Sequence, residues 1–225
     1  MIYMAYMSRF KLVYIEAMET YSKQSYRNRV EFMAAGGKSQ FSVPVIKTFG
    51  NHTKTCDIKI SYAEKWQNIF WRAIEAGYNS SPYFLYYKDG LREILFNDFE
   101  FLSDLNISLL SKVLEWTGIE TKLTYTSSYV NEYPGGLDLR SIINPKKPIG
   151  DMFFPEYTQV FSDKFGFLPN LSIIDTIFNL GPGTLQYLES IEIPGLFTSD
   201  IQSWYDILLT AFSWISSWSW WSPSG

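Results

Sequence analysis

The sequence predicts an α/β fold: a single domain with a mixed sheet flanked by helices, plus an aromatic-rich C-terminal tail. Three observations lead there. Short strand-like runs interleave with amphipathic helical stretches. The 225 residues are 46% hydrophobic and 19% charged, enough to bury one large core. Beyond Asp206 the chain carries no charge, and five of the eight tryptophans lie between Trp204 and Trp221. The expected division is a domain over residues 1–190 and a Trp-rich tail over 191–225.

The strand signals come first. KLVYIE (11–16) and NRVEFMA (28–34) are rich in β-branched and aromatic residues. The turn Gly36-Gly37-Lys38 leads into SQFSVPV (39–45), which predicts a hairpin, and CDIKI (56–60) is a fourth strand. Ser61 and Glu64 stand at capping-box spacing ahead of a helix that puts Trp66, Ile69, Phe70, Ala73 and Ile74 on one face up to Gly77. SSPYFLYY (80–87) reads as a shorter helical segment with Pro82 in its first turn.

Leu102, Leu105, Leu109, Leu110, Val113 and Leu114 keep helical spacing over 101–117, and Gly118 is a stop signal. KLTYTSS (122–128) is strand-like, and residues 131–156, with four prolines and three glycines, form a long irregular connection. YTQVF (157–161) is a last strand. NLSIIDTIFNLGP (170–182) is a short helix, with Ser172 and Asp175 as its capping box and Gly181-Pro182 as its end.

Composition excludes several chemistries. Net charge is −4 and the pI about 5.1, so no nucleic-acid partner is expected and any anion binding is local. One cysteine, Cys56, forbids an internal disulfide and fits the cytoplasm, and the N-terminus has no signal-peptide pattern. The sequons at Asn51, Asn79, Asn106 and Asn170 then read as chance matches. With His52 the sole imidazole, in the turn-like GNHT, a histidine-rich metal site is excluded and no metal is assigned. The uncharged ILLTAFSWISSWSWW stretch is short for a spanning helix and lacks a cationic face, so membrane contact through 207–221 is the minor reading.

The cationic stretch YSKQSYRNRVEF (21–32) is the main candidate site. Extended, it puts Tyr21, Lys23, Ser25, Arg27, Arg29 and Glu31 in one row, with Asn28 on the opposite face. Same-face residues stand roughly 6.6 Å apart, so the cations can converge on one phosphate or carboxylate. The competing reading is a solvated edge strand whose charges deter association. Glu16 ends a strand-like run, where open α/β sheets place ligands, and is a general-base or amine-orienting candidate or an arginine's ion-pair partner. Ser172 and Asp175 are either cap residues or part of an anion site. Tyr157, Gln159 and Asn170 can hydrogen-bond a sugar. Trp66, Trp71, Tyr78 and Tyr83 suit sugar stacking, although the Trp66 stripe is more simply core.

VYIE (13–16), YSKQSYRNR (21–29), FSVPV (41–45), YNSSPYFLYY (78–87), FLSDLN (101–106) and YTQVFSDKFGFLPNLSIIDTIFNLGP (157–182) together resemble the WbqC-like protein family. The resemblance covers most of residues 8–188 and lies outside the tail. It implies a sugar-modifying enzyme of bacterial surface polysaccharide (O-antigen-like) biosynthesis, with acyl or aminoacyl (glycine) transfer to an amino sugar as one form. The alternative is a non-catalytic carbohydrate- or partner-binding protein of such a pathway. The implied substrate is a nucleotide- or lipid-linked sugar, with no cofactor and no oligomeric state assigned. In that reading Glu16, Lys23 and Asp175 do the chemistry, and Tyr21, Ser25, Arg27, Asn28, Arg29, Tyr157, Gln159, Asn170 and Ser172 bind. The resemblance also implies that a strand and a Pro/Tyr-rich segment preceding residue 1 are absent. Met18 and Phe70 stand where relatives often carry histidine.

Overall fold

Strand pairing is both parallel and antiparallel, distributed over three two-stranded sheets around one core. The computed structural model describes residues 1–194 except 24, 130, 132–136, 141–142 and 144–150. The expected tail beyond residue 194, with its tryptophans and the 207–221 stretch, lies outside the described residues, as do 132–136, 141–142 and 144–150 of the irregular 131–156 connection. Ile191 and Ile193 of the expected tail are buried in the core.

Helix α1 (Ile2–Met7) precedes β1 (Leu12–Ile15), which pairs in parallel with β6 (Lys122–Tyr125). The crossover between them holds the rest of the sheet structure. Strand β2 (Arg29–Ala34) forms a hairpin with β3 (Gly37–Ser42), and β4 (Val45–Lys47) pairs antiparallel with β5 (Ile58–Ile60). Helices α2 (Trp66–Tyr78), α3 (Phe84–Leu95) and α4 (Leu102–Thr117) follow, and after the long connection come α5 (Ser162–Phe165), α6 (Ile173–Leu180) and α7 (Thr184–Ser190).

Helix α2 packs on the apolar face of the β2–β3 hairpin. Phe70 stacks on Phe41 at 4.7 Å and meets Phe32 edge-on at 5.8 Å. The other side of α2 meets α3 through Trp71 and Phe84, and Phe178 of α6 closes the layer against Phe84 and Tyr78. Trp66, Trp71 and Tyr78 are therefore core residues, Trp66 and Tyr78 at 2% and 0% exposure. Arg9 ties the N-terminal and C-terminal helices together. Its guanidinium donates to the carbonyls of Ala5, Leu188, Glu189 and Ile191, capping the ends of α1 and α7 where carbonyls lack helical partners.

Several expected elements differ. Residues 23 and 25–28 form turns and bends rather than strand, and extended pairing begins only at Arg29. The physical cause lies in competing bonds: Ser25 Oγ donates to the Ser22 carbonyl, and Asn28 Nδ2 to the Val43 carbonyl. Pro44 splits the 39–45 run, and residues 55–57 are a 3₁₀ turn ahead of β5. YTQVF forms no strand; the Gln159 side chain instead bonds both the amide and the carbonyl of Leu168. Helix α3 starts two residues after Pro82 and runs to Leu95, past Gly90, which lies against the Trp116 ring. Neither expected capping box forms. Helix α2 starts after Lys65 with no side-chain cap, and at α6 the Ser172 amide and the Asp175 carboxylate are both used elsewhere.

Gly77 is the tightest helix–strand contact: a Cβ there would lie 2.2 Å from the Met33 carbonyl oxygen. Backbone cannot yield as a side-chain tip can. Gly77→Ala is expected to lower unfolding free energy by about 3 kcal/mol in urea titrations. A change under about 0.5 kcal/mol would contradict the packing described.

Candidate functional site

The segment before β2 is fixed from both sides although it is not a strand. Residues 17–21 run beside 53–56 through amide–carbonyl bonds Tyr21 to Thr53 (2.9 Å), Thr55 to Glu19 (2.9 Å) and Cys56 to Ala17 (3.1 Å). Asn106 of α4 donates to the Arg27 carbonyl at 2.7 Å, and the Val43 amide donates to the Asn28 carbonyl at 2.8 Å. A loop held this way presents its side chains reproducibly.

Tyr21 is buried, and its hydroxyl lies within electrostatic reach of both the Arg27 and Arg29 guanidiniums. Lys47 of β4 sits over the same ring, its Nζ 5.6 Å from the centroid. Burial pushes the Tyr21 hydroxyl up, and the two arginines oppose that shift. Three cations thus surround one tyrosine. Arg27 gives Nε and Nη2 to a single oxygen of Glu19. Neither Arg29 nor Lys47 has a carboxylate partner among the described residues, and the Arg29 Nε is buried with no acceptor. A buried unpaired N–H costs on the order of 1–3 kcal/mol, so this donor is conspicuous. The Asn28 Oδ1 beside it is buried and unpaired too. Lys23 is exposed in the turn. Ser25 is buried and engaged with its own turn.

Glu16 follows β1, and Thr126 follows β6, at the carboxyl ends of the parallel pair. Glu16 accepts from Thr126 Oγ1 at 2.8 Å and from the Met18 amide at 2.7 Å. Arg140 Nη1 lies 3.7 Å from its second oxygen. The same guanidinium pairs with Asp138, holding that carboxyl below its usual range, and covers the Tyr129 ring at 5.3 Å. Glu16 is thus a held carboxylate, with its side chain 4% exposed.

The remaining predicted residues gather in a second cluster, within the protein. Asp175 is fully buried; its Oδ2 accepts from Tyr157 and from Gln159 Nε2 at 3.0 Å, while its Oδ1 is buried with no hydrogen-bond partner among the described residues. Burial pushes its carboxyl above the usual range, and those hydrogen bonds work against the shift. Gln159 also clamps Leu168 with both ends of its amide. Asn170 adopts a left-handed conformation (φ 54°), which asparagine tolerates, and its Oδ1 accepts from the Ile2 amide. Ser172 donates its amide to the Glu31 carbonyl at 2.7 Å.

Lys47 and Arg140 are absent from the sequence-derived set. Both come from distant segments, and no local pattern marks them. Exposed His52 and half-buried Cys56, whose thiol burial pushes up, stand apart from these clusters. Among the described residues, no group of three or more His, Cys, Asp or Glu side chains could hold a metal ion, and no helix is long and apolar enough to cross a membrane.

The Asp175 shift has a sign. A carboxyl whose folded pKa is raised binds its proton more tightly when folded, so its contribution to stability falls as pH rises above the unfolded value of about 3.9. Asp175→Asn removes that titration. The stability of wild type relative to this variant is expected to decline as pH rises above about 4 in paired denaturation series. A difference that is flat, or that grows with pH, would refute the assignment.

The sequence model of the WbqC-like protein family matches residues 2–143, a span holding the Tyr21 cations, Glu16 and Arg140. An uncharacterized protein of Mycobacterium tuberculosis is 27% identical over 196 residues, covering 75% of this chain and 83% of that protein. No solved structure matches the chain.

Proposed function

This chain belongs to the WbqC-like protein family, and on that premise we propose that it modifies a negatively charged sugar in bacterial surface polysaccharide biosynthesis. The form proposed is acyl or aminoacyl transfer, glycine included, to the amine of a nucleotide- or lipid-linked amino sugar. The observation that carries the reading is the Tyr21 cluster. Lys47 sits over the Tyr21 ring and Arg27 and Arg29 act on its hydroxyl, with a single carboxylate among the three, and Arg29 keeps a buried, unsatisfied donor. A phosphate oxygen satisfies that donor and balances the charge. Without a ligand the arrangement costs folding energy, as binding sites commonly do.

In the transfer, the sugar amine attacks the acyl carbonyl carbon. The carbonyl oxygen takes negative charge, the leaving group departs with its bonding electrons, and the amine loses a proton. Arg27, Arg29 and Lys47 hold the anionic group and oppose the developing charge. Glu16, held by Thr126, Met18 and Arg140, orients the amine and receives its proton. Asp175 is a positioning residue, since its Oδ2 serves Tyr157 and Gln159 within the core. The lone Cys56 is in keeping with the cytoplasm as the proposed compartment.

The alternative, a non-catalytic binding protein of the same pathway, draws on the burial of both carboxylates. An assay with labelled glycine, ATP and amino-sugar nucleotides separates the two. The expected result is a labelled amide product, reduced at least about tenfold by Glu16→Gln. Ligand binding without product would favour the alternative, and neither binding nor product would sink both.

A further inference from the structure

The connection that follows Lys47 holds an apolar side chain out to solvent on a braced turn. Between β4 and β5 the chain runs through residues 48–57, where Phe49 is 64% exposed, and Ile46 of β4 is 52% exposed. The Phe49 ring pairs with no other aromatic ring among the described residues. Thr53, 1% exposed, accepts from the Phe49 amide on its Oγ1 at 2.9 Å, and the same hydroxyl donates to the Gly50 carbonyl at 2.9 Å. The His52 amide closes on the Phe49 carbonyl at 3.2 Å, and Gly50 takes the left-handed φ of 57° that the reversal needs. Two cations flank this turn. Lys47 Nζ lies 5.6 Å from the Tyr21 ring centroid. Exposed Lys54 sits opposite Thr20, between the bonds from the Tyr21 amide to the Thr53 carbonyl and from the Thr55 amide to the Glu19 carbonyl, each 2.9 Å. Neither lysine has a carboxylate partner among the described residues. Asp57, the one acid of the connection, lies at its far end against β5.

From this placement we propose that the β4–β5 connection docks on an anionic bilayer surface, with Phe49 and Ile46 supplying the apolar contact and Lys54 and Lys47 the charge. An anionic bilayer offers a phosphate layer and an apolar layer within reach of one short loop, and binding to it draws on both terms. The bonds around Thr53 fix the turn beforehand, so little ordering is lost on contact. A two-fold contact between copies of this chain, centred on the same loop, would set Lys54 against its own copy, and a bilayer imposes no such repulsion. The docking stands on the loop. Its use rests on the anion reading above and selects the lipid-linked form of the substrate, because the loop that meets the bilayer shares Lys47 with the phosphate cradle.

The test is flotation of the full chain with vesicles of phosphatidylcholine mixed with phosphatidylglycerol, and with phosphatidylcholine alone, alongside calorimetric titration with inorganic phosphate. Wild type is expected to float with the mixed vesicles and to be released by high salt. Phe49→Ser lowers the partition at least about tenfold, the scale of one phenylalanine leaving an apolar layer, and Lys54→Gln lowers it about fivefold. Phe49→Leu keeps it. The altered side chains are exposed, and thermal melts check that each variant folds as wild type does. Wild type that does not float, or Phe49→Ser and Lys54→Gln variants that float as wild type does, overturns the docking. A wild-type dimer that Phe49→Ser dissociates, with no vesicle binding, overturns the bilayer in favour of a second copy. Phosphate binding without flotation overturns the docking and leaves the anion reading standing. Flotation lost in Phe49→Ser, in a chain that binds no phosphate, keeps the docking loop and overturns the lipid-linked substrate.

Discussion

Among the described residues the outer edge of strand β2 has no partner strand, and its hydrogen-bonding groups must still be satisfied inside the protein. The hairpin register leaves the Met33 amide and the Glu31 carbonyl pointing away from β3. The Tyr78 hydroxyl accepts from the first, and the Ser172 amide donates to the second. Those two bonds fix where α2 and α6 can sit. Gly77 lets the α2 backbone come close enough for the adjacent tyrosine to reach. Asp175 lies within electrostatic reach of the same tyrosine and, after burial, pushes its hydroxyl up. The carboxylate itself is held through Oδ2 by Tyr157 and Gln159.

That chain of dependence separates the two groups of candidate residues. Tyr157, Gln159, Asn170, Ser172 and the Oδ2 of Asp175 have partners that explain them, and their bonds hold segments 157–172 and 1–2 to the core, although the Asp175 Oδ1 is buried without a partner among the described residues. Arg29, at the head of the same strand, differs. Its Nε is buried with no acceptor, and Arg27 and Lys47 converge on the tyrosine beside it. Rigid surroundings with unsatisfied donors describe a preorganised anion cradle, because the cost of burying the donors has been met before the ligand arrives.

The helices were legible wherever an apolar stripe ran unbroken, as in Trp66–Tyr78 and Leu102–Thr117. The charged KDG of α3 hid its second half, although Phe84, Leu91 and Leu95 keep helical spacing. The β2–β3 hairpin was legible from its turn and alternation. YSKQSYRN was misread as its extension, because alternation of polar and aromatic residues says nothing about Ser25 and Asn28 bonding to nearby carbonyls. The 157–161 strand does not form either: the Gln159 side chain there ties the segment to the Leu168 backbone. At the site, the two arginines were readable from local charge. Lys47 and Arg140 were not, since they reach it only through tertiary contacts with Tyr21 and Glu16.

The central claim is that Arg29 is held ready for an anion, and its side-chain Nε–H can be observed directly. The measurement is a proton–nitrogen correlation spectrum of the arginine Nε groups during titration with inorganic phosphate, with resonances assigned by substitution. The account predicts that the Arg29 Nε–H signal moves downfield and saturates along with the binding isotherm, and that the Arg9 signal, bonded to helix-end carbonyls, stays in place. Phosphate binding that leaves the Arg29 signal unmoved would contradict it.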